Sequence, residues 1–191
     1  MKEQEIRPEK IFDEYLLLCK KDIDVFFGSD IEREFINCPA CNGDGKPAFK
    51  KDGFQYRGCS TCKTIFVSPR PINKSFQVYY KDAPSTRFWA DVFYKKTESA
   101  RRKKMHRPKA ELIFNSLKMK SISKQIIDIG GGFGVFAEEF YKLSKVKPII
   151  IEPSDTLSKV SQKKGFEVIH QTLEATSKEQ LPVSKKNIFK F

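Results

Sequence analysis

Long apolar runs are missing from this chain of 191 residues. Nowhere do the roughly 18 to 20 apolar residues needed to span a bilayer follow one another. The opening MKEQEIRPEK offers no apolar stretch that could act as a signal peptide, so the expected location is cytoplasmic. Histidine is scarce, with two in the chain. His106 falls in a basic run and is expected to face solvent; His170 is expected to be a packing or polar-edge residue at the end of a strand. No Gly-Lys-Ser/Thr follows a glycine loop, which excludes a P-loop. Internal repeats and low-complexity tracts are absent too. Acidic residues are outnumbered, 24 against 36 Lys and Arg, and the net charge of +12 attracts anions such as phosphates, nucleic acid or acidic membranes. The excess is densest between Asp91 and Lys124. There Lys95, Lys96, Arg101, Arg102, Lys103, Lys104, Arg107, Lys109, Lys118, Lys120 and Lys124 face only Asp91, Glu98 and Glu111. Such a run is a solvated helix face or a surface for an anionic partner.

Four of the five cysteines stand in two C-x-x-C pairs, Cys38 with Cys41 and Cys59 with Cys62. The pattern C-x2-C-x17-C-x2-C lets two tight knuckles bring four thiolates to the corners of a tetrahedron around one zinc ion. Four thiolates leave no open coordination position, so the expected role is structural. The segment from Asn37 to about Pro71 is short and punctuated by Gly43, Gly45, Pro47, Gly53 and Gly58, all read as turn markers, with Phe54, Tyr56 and Thr64 to Val67 as short strands. It is too polar to bury a core, and metal binding energy is expected to replace one. Cys19 lies on the apolar line of an amphipathic helix over Pro8 to Phe27, with Ile11 and Tyr15 on the same line and Phe12 and Leu16 on the next, and is expected to be a buried, inert thiol.

Residues 74–120 read as mostly helical, with Pro108 opening a fresh helix whose inner face carries Ala110, Ile113, Phe114 and Leu117. From Gln125 the pattern changes to strand, helix, strand, helix, strand. Gln125 to Ile129 is an apolar strand that runs into Gly130-Gly131-Gly132-Phe133-Gly134 and then a helix with Val135, Phe136, Phe140 and Leu143 inward. This is the first turn of a doubly wound sheet, where ligands bind beyond the carboxyl ends of the strands. The second strand, Pro148 to Ile151, ends in Glu152, whose carboxylate can accept hydrogen bonds from both ribose hydroxyls of a nucleoside. The loop reads G-x-G-x-G, whereas the dinucleotide fingerprint is G-x-G-x-x-G, and Val135 stands where the third glycine of that fingerprint belongs. Asp128 puts negative charge near the place of a pyrophosphate, which suits a ligand carrying ammonium and sulfonium groups. The favoured ligand is S-adenosylmethionine rather than NAD.

At these residues the chain resembles the class I S-adenosylmethionine-dependent methyltransferases, since Asp128 to Gly134 matches their D-x-G-x-G-x-G loop and Glu152 the acid ending their second strand. The wider pattern of CPAC, GCSTC, FVSPRP, IIDIGGGFG and IIIEPS is similar to a bacterial branch with a zinc module ahead of the catalytic fold. The resemblance implies that Gly130, Gly132 and Gly134 line the methionine part of the cofactor, that Asp128 orients its amino acid end, and that Glu152 holds the ribose. It also implies Thr172 and Leu173 near the adenine, after a third strand over Phe166 to His170, and Asn187 to Phe191 as the start of a fourth. A full domain of this kind has seven strands, so the expectation is an α/β chain with an incomplete, Rossmann-like methyltransferase domain, an amino-terminal piece of such an enzyme. The expected organisation is an amphipathic helix over 1–36, a zinc-ribbon-like module over 37–71, a basic helical connection over 72–124 and the first half of the cofactor domain over 125–191. The methyl acceptor implied is a small molecule or nucleotide-linked sugar. Two further readings stand beside this one: a methyltransferase that grips RNA through the zinc module and basic helices, and a non-catalytic remnant. No catalytic base is identifiable.

Overall fold

A computed structural model describes residues 2–117 and 125–181. Lys118, Lys120 and Lys124 of the basic run, and the expected fourth strand at Asn187 to Phe191, lie outside the described residues. In chain order the elements are helices α1 (Glu3–Ile6) and α2 (Glu9–Phe27), strands β1 (Arg33–Glu34), β2 (Gly45–Lys51), β3 (Phe54–Cys59), β4 (Ile65–Val67) and β5 (Arg70–Pro71), and helices α3 (Asn73–Asp82) and α4 (Pro84–Phe88). There follow α5 (Lys95–Arg101) and α6 (Arg107–Ser116), reached through π-helical turns at Trp89–Tyr94 and Arg102–His106. The remainder is β6 (Ile127–Ile129), α7 (Val135–Ser144), β7 (Ile149–Ile151), α8 (Asp155–Lys163) and β8 (Val168–Ile169), then short 3-10 turns. The described residues form two compact units, one of Glu9–Phe93 and one that joins residues 2–8 to residues 94–117 and 125–181. Among the described residues no helix is long and apolar enough to cross a membrane.

In the Glu9–Phe93 unit, α2 is held by aromatic packing. Phe12 and Tyr15 meet Phe93, Tyr15 meets Trp89, and Phe27 meets Phe54, Phe76 and Tyr79, with centroids 5.0 to 6.1 Å apart. Its carbonyl end is capped by the Arg33 guanidinium, which donates to Phe27 O at 2.5 Å and Gly28 O at 3.2 Å. Buried Asp22 accepts the Ser85 amide at 2.8 Å, satisfying a free donor at the start of α4. Cys19 is half-buried, and Leu16, expected on an apolar line, is largely exposed. The β2, β3 and β4 strands form an antiparallel sheet in that order. Gly45 and Gly58 lie within strands and not at turns. At Gly45 the reason is packing, since a Cβ there would lie 2.6 Å from the Phe66 ring.

The second unit carries a parallel sheet in the order β6-β7-β8, with Ile127 opposite Ile149 and Ile150 opposite Val168. Parallel strands buried on both faces read as continuous apolar runs, and Ile149, Ile150 and Ile151 are fully buried. Helix α6 packs on α7 through Ala110, Phe136 and Phe140, with Ile113, Phe114 and Ile126 against them. Leu143, expected inward, is partly exposed at 38%. The third strand is shorter than expected, only Val168 and Ile169, because Gly165 turns the chain out of α8 and the Gln171 amide turns back onto Ile169 O. His106 is half-buried and its Nε2 has no hydrogen-bond partner, so it does not face solvent as expected. It closes a π-helical turn, and burial, followed by the charges of Arg101, Lys109 and Arg102, pushes its pKa down.

Candidate cofactor site and metal centre

The carboxyl ends of the three parallel strands bring Asp128, the glycine loop, Glu152 and Thr172 to one edge of the sheet. Gly130, Gly132 and Gly134 have φ of 69°, 57° and 69°, the left-handed region that only glycine enters at little cost. At Gly130 nothing lies within 4 Å of where a Cβ would be, so conformation and not crowding selects glycine there. At Gly131 crowding decides, because a Cβ would lie 2.7 Å from Ile150 and 3.0 Å from Asp128 Oδ2.

Glu152 is buried and fixed on both oxygens. Its Oε2 accepts the Gly132 amide at 2.9 Å and its Oε1 the Ser154 amide at 2.9 Å. The sequence-level acid at the end of β7 thus sits directly on the glycine loop. Asp128 also sits beside the loop, and its buried Oδ2 has no hydrogen-bond partner. Burial raises its pKa to about 6; nearby Lys109 opposes the rise and Glu152 adds to it. Thr172 accepts the Ala175 amide at 3.4 Å and caps a short turn, while Leu173 is exposed. His170 is exposed, with Nε2 3.1 Å from Pro153 O, a polar-edge position.

Sequence reasoning missed the residues that brace the loop. From α8, Ser161 Oγ donates to Gly132 O at 2.8 Å, Ser158 Oγ to Glu152 O at 2.8 Å, and Lys164 Nζ to Phe133 O at 2.8 Å. The signal was present as small hydroxyl residues three apart on the inner face of α8. From the other side, the buried Tyr94 ring stacks on Phe133 at 4.2 Å and 20°. No local pattern announces that contact, because the partners are far apart in sequence.

Part of the expected basic surface is neutralised internally. Arg102 bridges Glu98, Glu138 and Glu139 at 2.7 to 2.9 Å, Arg107 and Lys142 also reach the buried Glu139, and Lys104 pairs with Glu5. Burial would raise the Glu139 carboxyl, but hydrogen bonds from Lys142, Arg107 and Arg102 outweigh it and hold it at about 2.

In the other unit, Cys38, Cys41, Cys59 and Cys62 come together with all four sulfurs within 4.8 Å of one another, a group that could hold a metal ion. The two knuckles repeat one geometry. The Asn42 amide closes onto Cys38 O at 2.8 Å and the Lys63 amide onto Cys59 O at 3.2 Å, and Asn42 and Lys63 both have positive φ, 57° and 64°. Cys38 and Cys59 are buried against Phe66, while Cys41 and Cys62 are exposed. Hydrogen bonds from Thr64 lower the Cys62 thiol to about 6, which favours a thiolate at neutral pH.

No family model and no curated protein matches the chain.

Proposed function

We propose that this chain is a class I S-adenosylmethionine-dependent methyltransferase, with a Rossmann-like cofactor domain, that takes a small molecule or nucleotide-linked sugar as acceptor. The observation that carries the reading is the meeting of Asp128, three left-handed glycines and Glu152 at the carboxyl edge of a parallel βαβαβ sheet. The unpartnered Asp128 Oδ2 fits a cationic amino acid end, and the open space over Gly130 fits a ligand lying against the backbone. Glu152, already oriented by two amides, keeps lone pairs free for ribose hydroxyls. When bound, S-adenosylmethionine supplies a methyl group on a sulfonium centre. The chain's own residues bind and orient, with Asp128 and Glu152 as anionic acceptors and the Tyr94–Phe133 stack and Ser161 holding the loop in shape. The ion pairing of Arg102, Lys104 and Arg107 within the chain weighs against a broad nucleic-acid grip by the basic helices.

The cysteine group, in this reading, holds one structural zinc. A Zn–S bond of about 2.3 Å sets tetrahedral sulfur separations of about 3.8 Å; Cys38 to Cys62 and Cys41 to Cys59 stand at 3.5 Å, and all four sulfurs lie within 4.8 Å of one another. Free thiolates need a reducing compartment, which supports the cytoplasm. Calorimetric titration with S-adenosylmethionine, S-adenosylhomocysteine and NAD tests the cofactor. Both adenosyl ligands are expected to bind; binding of NAD alone would reverse the assignment.

A further inference from the structure

The β2–β3 hairpin presents a surface that the metal site does not use. Strand pairing puts Phe49 opposite Tyr56, Val67 opposite Tyr56 and Ile65 opposite Gly58, so these side chains share one face with Lys46, Lys51 and Phe54, and of these Phe54 is covered by Phe27 of α2. The opposite face carries Phe66 and Cys59 into the metal-side core. Phe49 and Tyr56 stack at 4.7 Å and 14°. Because β2 is the edge strand, the far side of the Phe49 ring is open, and Phe49 and Ile65 are 48% and 51% exposed. A bulge between Pro47 and Phe49 sets this register.

Lys46 and Lys51 are both exposed, and no ion pair to either of them is found among the described residues. Pro47 and the bulge deny the β2 edge to another strand, which removes pairing with a second β-chain as an occupant. Two exposed apolar side chains are also far less than the roughly 800 Å² per partner of a stable protein interface. An aromatic ring with one free face inside a cationic rim has the chemistry of a nucleobase platform. Lys46 and Lys51 pair with Gly58 and Phe54, four residues or about 13 Å apart along β3, a spread that suits separate phosphates of a chain better than the adjacent phosphates of one pyrophosphate.

We infer that the exposed part of this hairpin face, around Phe49 and Ile65, binds single-stranded nucleic acid, with one base stacked on Phe49 and the backbone along Lys46 and Lys51. This site is independent of the proposed cofactor site. The test is fluorescence anisotropy of the full chain with labelled eight-nucleotide oligo-U and with a duplex of equal length, over a series of salt concentrations.

Phe49→Ser, which leaves the charge unchanged, is expected to weaken oligo-U binding about tenfold. Lys46→Glu and Lys51→Glu together are expected to flatten the logarithmic salt dependence by about 1.4, since each single-strand phosphate neutralised contributes about 0.7. Lys96→Glu with Lys103→Glu, on the basic helices, serves as the charge control and is expected to leave the Phe49→Ser difference intact. Metal content of each variant reports whether the module is still folded. Unchanged binding by a metal-replete Phe49→Ser chain, or equal binding of duplex and single strand, would overturn the inference.

Discussion

The Glu152 carboxylate accepts the Gly132 amide at 2.9 Å, so the acid ending one strand holds the loop that follows its neighbour. Glu152→Ala removes that acceptor and the Ser154 contact with it. The variant is expected to lose about 1.5 to 3 kcal/mol of S-adenosylmethionine affinity, the range for hydrogen bonds to a charged group. Amide exchange at Gly132 is expected to accelerate in the same variant even without ligand. Unchanged Gly132 protection would show that the loop does not depend on Glu152.

Asp128 gives the site a pH dependence. Its folded pKa is raised to about 6, mainly by burial. A raised carboxyl contributes stability at low pH that is lost as pH rises through about 6. The proposed ligand needs the opposite state, because a cationic group is held by the ionised form. Affinity is therefore expected to fall about tenfold for each pH unit below 6, and Asp128→Asn is expected to abolish this slope. A flat titration from pH 5 to 7.5 in the wild-type chain would remove Asp128 from the site.

Glu139 sits at the centre of an ion cluster with Arg102, Arg107 and Lys142 and is 2% exposed. Arg102→Ala is expected to destabilise its unit by about 2 kcal/mol; the two remaining cations keep the loss below that of an abandoned buried charge. Because Glu139 is held at about 2, its contribution is present above the ordinary glutamate range and is lost as pH falls through about 2. Urea unfolding at pH 7 and in acid measures both effects.

Freshly purified protein is expected to carry one zinc per chain. Cys38→Ser is expected to release it and to melt the strands around Phe66, since three thiolates cannot close the tetrahedron. Metal analysis with circular dichroism checks this. A fully folded Cys38→Ser chain without metal would show that the module rests on its small core alone.

The four-cysteine group and the glycine loop were legible in the sequence because each is a local pattern with fixed spacing. C-x-x-C closes its own knuckle, and glycines in sequence create their own left-handed path. Helix α2 was legible from its periodicity, although Leu16 shows that periodicity does not fix which residues find partners. What could not be read locally was the bracing across sequence. Tyr94 on Phe133, Arg102 on Glu139 and Glu5 on Lys104 join residues 37 to 99 positions apart. His106 was misread for the same reason, since a basic neighbourhood in sequence says nothing of the helix packed over it. Gly45 reads as a turn in the sequence because its Phe66 contact lies across the sheet.

Binding of S-adenosylmethionine at the edge formed by Asp128, the glycine loop and Glu152 is tested most directly by amide resonances of the full chain. Adding S-adenosylmethionine to isotope-labelled protein is expected to shift the Gly130, Gly132 and Gly134 signals, with no change in those of Cys38 to Cys62. Glycine-loop signals that stay in place at millimolar ligand, in a chain that keeps its zinc, would contradict the account.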